Sequence, residues 1–126
     1  QYKELLHNFF PRYMQVLEPF KSSINEVRIE GHTSSPFGKA TEDDAYFGNM
    51  ALSQGRTRSV LNYIYLLPSI TEHKEWVKQH LAAVGLSSSR LIYKDNGKEN
   101  YKASRRVSFR VITNADIQIK RILQEG

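Results

Sequence analysis

Apolar residues recur at spacings of three and four along residues 2–22, which predicts an amphipathic helix with one broad apolar face. Pro11 lies inside this stretch, so we expect it to kink the helix or to divide it into two pieces. From Ile24 to Gly31 the period changes to two, because apolar and polar residues alternate there. This alternation predicts a short, half-buried strand. Residues 34–45 are polar and predict a loop.

The middle of the chain predicts two more helices. One has apolar residues at helical spacing from Tyr46 to Leu67. Thr41 precedes the acidic run 42–44, so Thr41 can cap a helix N-terminus whose positive end favours acids. A further helix is predicted from Thr71 to Val84, with Gly85 as its C-terminal stop.

The last third of the chain predicts two strands and a helix. Residues 91–93 are a short apolar run, residues 94–106 are a polar loop, and residues 107–111 alternate as a second exposed-and-buried strand would. Residues 114–126 have the pattern of a C-terminal helix. The whole order of elements predicts an α+β fold, in which helices pack on a small sheet in one domain spanning residues 1–126.

Composition excludes several classes of protein. The 126 residues contain no cysteine, which excludes disulfide scaffolds, thiolate zinc sites and cysteine nucleophiles. No segment approaches the roughly 18 apolar residues that a membrane-spanning helix needs. The four histidines lack the spacing of metal ligands, so we expect no metal site. Neither a nucleophile elbow nor a glycine-rich phosphate loop is present, so the sequence does not indicate an enzyme.

The chain carries a formal net charge of +5, which admits a polyanionic partner. Basic residues accompany Tyr93 and Tyr101, whose rings could stack on bases. Because no recognition motif goes with them, nucleic acid is not the expected partner.

Four short segments are more specific when they are taken in order. Residues 29–33 (Ile-Glu-Gly-His-Thr) end a strand, 49–56 (Asn-Met-Ala-Leu-Ser-Gln-Gly-Arg) open a helix, 85–91 begin Gly-Leu and end Arg-Leu, and 105–109 (Arg-Arg-Val-Ser-Phe) open a strand. Over about residues 24–112 this combination resembles the OmpA-like C-terminal domain. That family is shared by outer-membrane anchoring proteins, the peptidoglycan-associated lipoprotein and MotB-type stator subunits. The resemblance implies a βα/βα/β two-layer sandwich on a small mixed sheet, without enzymatic activity or cofactor.

The resemblance also implies a function, because the family binds peptidoglycan non-covalently through the diaminopimelate of the stem peptide. Arg56 would grip a carboxylate with its planar fork. Asn49 would complete the polar lining, and Leu52 would pack beneath it. Arg105 would support the same pocket, and Thr33 would add backbone or hydroxyl contacts from the strand end.

The sequence departs from the family pattern at the acidic position. Ser34 stands where the ammonium-binding aspartate is expected. Asp43 and Asp44 lie in the unusually long loop that follows, and we hypothesise that one of them folds back to replace the missing charge. Ser104 replaces the usual asparagine before the two arginines. The long loop and the residues of the helix motif look most like those of MotB-type members, including the stator-like subunit of Zorya anti-phage systems.

The family's first strand has no counterpart before the first helix, so either the chain was trimmed or the sheet is one strand short. We expect trimming, which would also have removed any membrane anchor. The resemblance then implies a periplasmic domain that tethers a membrane complex to the cell wall. It also implies a homodimer or a membrane-complex partner in the full-length protein. The alternative is a degenerate OmpA-like domain that no longer binds the wall and serves in dimerisation or protein docking, which Ser34 favours.

Overall fold

A computed structural model describes residues 2–115. In chain order its helices and strands are α1 (Tyr2–Leu17), β1 (Ile24–His32), α2 (Glu42–Tyr65), α3 (Lys74–His80), β2 (Leu81–Gly85), α4 (Tyr101–Ser104) and β3 (Arg106–Thr113). The three strands form one sheet in the order β2-β1-β3. Within the described residues the fold is therefore α+β, with helices packed on a small mixed sheet, as the sequence predicts.

The chain divides into two compact units. Of the described residues, the first unit contains 2–28, 61–82 and 110–115, and the second contains 29–60 and 83–109. α2 and all three strands contribute residues to both units.

The first unit contains an apolar interior. Its buried apolar side chains come from α1, the start of β1, the end of α2 and the segment that follows; they are Leu6, Phe10, Met14, Leu17, Ile24, Val27, Ile64, Leu67, Ile70, Val77 and Leu81. α1 continues through Pro11, so the alternative in which this proline divides the helix is wrong. Buried residues lie on both sides of Pro11, and their packing offsets the hydrogen bond that proline removes.

The second unit contains a polar interior. Its buried residues include only three apolar ones among those described, Ile29, Ala45 and Val60. The buried polar residues all belong to this unit; they are Glu30, His32, Thr33, Ser34, Asn49, Ser53, Thr57, Ser87 and Ser104. Burial of polar groups costs free energy unless they are hydrogen-bonded, and proteins accept this cost mainly at functional sites. The polar interior of the second unit is therefore the candidate functional region.

Small residues allow α2 to approach the sheet closely in the second unit. A Cβ atom at Gly31 would lie 2.7 Å from the Ser53 carbonyl oxygen and 2.9 Å from Cγ2 of Thr57. A Cβ atom at Gly85 would lie 2.6 Å from the backbone nitrogen of Gln54. Glycine is therefore required on both strands, because any side chain would push the helix outward.

The predicted start of α2 is too late by four residues, since the helix begins at Glu42. The predicted cap is correct: the backbone N–H of Asp44 donates to Oγ1 of Thr41 at 3.3 Å. The strands predicted near Ile24 and Val107 are confirmed as β1 and β3.

The helix predicted from Thr71 to Val84 is wrong at both ends. Residues 68–73 form a 3-10 helix, α3 ends at His80, and residues 81–85 form β2. Pairing with β1 continues beyond β2, because the N–H of Leu86 donates to the Gly31 carbonyl at 2.9 Å. This long-range pairing overrides the helix preference of the two alanines in β2.

The strand predicted over residues 91–93 is also wrong, because Tyr93 forms only an isolated antiparallel bridge with Glu99. The predicted loop over 94–106 contains the short helix α4. The predicted helix over 114–126 lies almost entirely outside the described residues.

Candidate functional site

Residues 34–36 form a short segment of the second unit that follows β1 and Thr33; we call it the Ser34 loop. Asn49 of α2 is buried and holds this loop. Its Nδ2 atom donates to the carbonyl oxygens of Ser34 at 3.0 Å, Ser35 at 3.2 Å and Pro36 at 3.3 Å. The role predicted for Asn49 was to line the site, and its observed contacts make it the anchor that fixes the loop against α2.

Arg105 reaches the same loop from the residue before β3. Its Nε donates to Oγ of Ser34 at 2.9 Å, across 71 positions of sequence. Ser34 is buried, whereas the Arg105 side chain is exposed. The guanidinium forms no ion pair within residues 2–115, so its charge is positioned by a neutral hydroxyl.

Glu99 contacts the next residue of the loop, and the sequence did not predict this. The N–H of Ser35 donates to Oε2 of Glu99 at 2.9 Å, and Oγ of Ser35 donates to Oε1 at 2.6 Å. The available signal was an acid beside the turn-forming residues Asp95, Asn96 and Gly97, shortly before the paired arginines. That signal is too weak to place the carboxylate.

Asp43 and Asp44 do not take this position. Both are exposed in the first turn of α2, where acids complement the positive end of the helix. In the described part of the chain neither side chain makes a hydrogen bond or ion pair with the Ser34 loop. The carboxylate that reaches the loop is Glu99, held by Ser35.

Arg56 lies two turns beyond Asn49, on the same face of α2, because seven residues are close to two turns of a helix. Its side chain is exposed, and its guanidinium makes no hydrogen bond or ion pair with any described residue. Leu52 lies between them along the helix. The prediction that Leu52 packs beneath Asn49 is wrong, because its side chain is 40% exposed.

The last residue of β1, His32, and the residue after it, Thr33, are buried with incompletely bonded side chains. Oγ1 of Thr33 has no hydrogen-bond partner among the described residues, although its N–H donates to the Ser87 carbonyl at 2.9 Å. Nδ1 of His32 is also without a partner in residues 2–115. Buried hydroxyls are normally satisfied, so Oγ1 of Thr33 is an unusual, unsatisfied group next to the Ser34 loop.

His32 lies beside a second buried ionisable group, with its Nε2 atom 3.6 Å from Oε1 of Glu30. Burial lowers the pKa of His32 below its ordinary 6.5, and the positive charge of Arg106 lowers it further. The Glu30 carboxylate opposes both effects. His32 is consequently neutral at pH 7, which suits its place in a buried strand.

The arrangement brings together Asn49, Ser34 and Arg105, with Glu99 added by the structure, and leaves Arg56 exposed on the adjoining helix face. It offers cationic forks, a carboxylate and a buried hydroxyl, which is chemistry for binding a small charged group. Within residues 2–115, no cluster of three or more histidine, aspartate or glutamate side chains could hold a metal ion. None of the helices described for these residues is both long enough and apolar enough to cross a membrane.

Comparison with known proteins shows a similarity over nearly the whole chain. No protein-family model matches the chain. The chain is 53% identical over 126 residues to the Zorya protein ZorB of Escherichia coli strain Crooks, and the match covers 99% of this chain. It covers 54% of that protein, so the chain spans about half the length of the curated relative that it matches.

Proposed function

We propose that this chain binds peptidoglycan non-covalently, through the diaminopimelate of the stem peptide. The observation that carries the proposal is Arg56, an exposed arginine without a partner in the described residues, two helical turns from the residue that anchors the Ser34 loop. A guanidinium that has no partner among the described residues, on the helix face that anchors this polar loop, is suited to a carboxylate, which it can grip with two parallel hydrogen bonds.

The other charged groups support the same ligand. Diaminopimelate presents amino-acid heads, each with a carboxylate and an ammonium group. Arg105 supplies a second cation, which is held on Ser34. A ligand that carries carboxylates and ammonium groups on one short chain matches this set better than a uniformly charged polymer does.

The similarity to ZorB supports a cellular setting for this binding. We propose that the chain is the wall-binding part of a Zorya-type, stator-like protein, and that it anchors a membrane complex to the cell wall from the periplasm. Because the chain spans about half of its relative, the membrane attachment and the partners of the whole protein belong to this proposal as well.

Co-sedimentation with purified sacculi tests the proposal. Arg58 provides a matched control, because it is also an exposed arginine of α2 and lies 200° away around the helix from Arg56 on the ideal geometry of about 100° per residue. We expect Arg56→Ala to weaken binding about tenfold or more, and Arg58→Ala to leave it nearly unchanged. Free meso-diaminopimelate should compete with the sacculi for the wild type. Equal retention of both variants, insensitive to the competitor, would contradict wall binding at this site.

The alternative function is a docking module without wall binding, and one observation favours it. α1 and the turn after it carry a row of outward apolar side chains, each at least 40% exposed: Leu5, Phe9, Val16 and Phe20. Analytical ultracentrifugation of the wild type and of Val16→Asp tests this alternative. Self-association that Val16→Asp abolishes, together with no retention on sacculi, would favour docking over wall binding.

A further inference from the structure

Glu99 is a carboxylate with unused bonding capacity. A carboxylate offers about four acceptor positions, and the two bonds from Ser35 use half of them. No lysine, arginine or histidine among residues 2–115 forms an ion pair with Glu99. Because the side chain is only half-buried, the remaining lone pairs can accept from a molecule that reaches the loop.

Opposite charges are kept apart on this loop. Arg105 is bound to Ser34 and Glu99 is bound to Ser35, yet in the described region the two charged groups form no ion pair with each other. Ser34 and Ser35 are consecutive residues, whose Cα atoms are about 3.8 Å apart. The two charged groups are therefore held by neighbouring residues of the loop. A separated cation and anion are preorganised for a ligand that has both charges, since neither must first be released from the other.

The backbone around Glu99 is also well defined. The N–H of Lys94 donates to the Lys98 carbonyl at 2.7 Å, and the N–H of Lys98 donates to Oδ1 of Asn96 at 3.0 Å. Gly97 has a φ of +84°, which this tight turn requires and which other residues rarely adopt. The turn therefore holds Glu99 on a short, hydrogen-bonded hairpin.

We propose that Glu99 accepts the ammonium group of the diaminopimelate head, and so supplies the negative charge that Ser34 lacks. This inference rests on the proposed function, because it assigns a second contact to the same ligand. This acid lies on a hairpin 64 positions after Ser35 along the chain, and Ser35 holds it at the loop. Glu99 then contacts the ammonium group, and the arginines of the site contact the carboxylate of the same zwitterion.

Competition experiments with two small molecules test the ammonium contact directly. meso-Diaminopimelate and pimelate have the same carbon chain and the same two carboxylates, but pimelate lacks both amino groups. We expect wild-type chain bound to sacculi to be displaced by diaminopimelate at concentrations about ten to a hundred times lower than by pimelate, the range that a hydrogen bond to a charged group is worth. Glu99→Gln should lose that preference, whereas Asp95→Asn, the same change in the same hairpin, should retain it.

A restoring variant separates the charge of Glu99 from its support of the loop. In the Glu99→Gln background, Ser34→Asp returns an acid to the loop, and we expect it to restore the preference for diaminopimelate at least in part. A Glu99→Gln chain that still distinguishes the two competitors would overturn the inference, and so would a loss of preference that Ser34→Asp leaves unrestored. Wild-type chain that does not bind sacculi would instead defeat the proposed function itself, and this inference with it.

Discussion

Replacing Gly31 with alanine should disturb the helix that carries Asn49 and Arg56. The new Cβ atom would lie 2.7 Å from the Ser53 carbonyl oxygen, where ordinary contact begins near 3.4 Å. The neighbouring atom belongs to the helix backbone, so it cannot rotate away, and α2 must move outward by several tenths of an ångström. Such overpacking costs about 1–3 kcal/mol.

This loss of stability corresponds to a decrease in melting temperature. The entropy of unfolding is about 2.1 cal/mol/K per residue, or about 0.26 kcal/mol/K for 126 residues, so Gly31→Ala should melt about 4–11 °C lower. Gly55 is the matched control, because it lies within α2 and a Cβ atom there would contact nothing within 4 Å. Gly55→Ala should raise the melting temperature by about 4 °C, since alanine favours helix by about 1 kcal/mol. Differential scanning calorimetry measures the two melting temperatures. A shift of the same sign in both variants would refute the close approach of α2 to β1.

Two further changes probe the polar unit. Asn49→Asp replaces the amide donor with a carboxylate that faces three carbonyl oxygens, so it should lower the free energy of unfolding in urea by about 2 kcal/mol or more; an unchanged midpoint would contradict the anchoring role. His32 has a lowered pKa, so below about pH 6.5 the unfolded chain binds a proton that the native chain does not, and stability should fall as the pH falls. His32→Gln should flatten this dependence in denaturation curves recorded from pH 5 to 8, and an equally steep dependence would assign it to other groups.

Two of the three strands could be predicted from the sequence, because apolar and polar residues alternate along them. β1 and β3 have this alternation, so they could be predicted without knowledge of their partners. β2 could not, because its Leu-Ala-Ala-Val run follows α3 directly and is equally compatible with a continued helix. Residues 81–85 form a strand because they hydrogen-bond to β1, which lies about 50 positions or more away along the chain.

The candidate site divides in the same way. Asn49 and Arg56 could be predicted because their motif lies on one helix, where spacing determines which residues share a face. The orientation of Leu52 could not, since it depends on how α2 is turned toward the sheet. Glu99 was missed because its contact with Ser35 spans 64 positions and depends on a loop that carries no motif.

The position of the ligand is the most direct test of the account. Titration of ¹⁵N-labelled chain with meso-diaminopimelate, followed by amide chemical shifts, reports which residues the ligand approaches. We predict that the largest changes fall in the Ser34 loop, around Arg56 and from Glu99 to Arg105, and that Arg56→Ala suppresses them. Changes confined to α1, or no changes at millimolar ligand, would contradict a diaminopimelate site at the Ser34 loop.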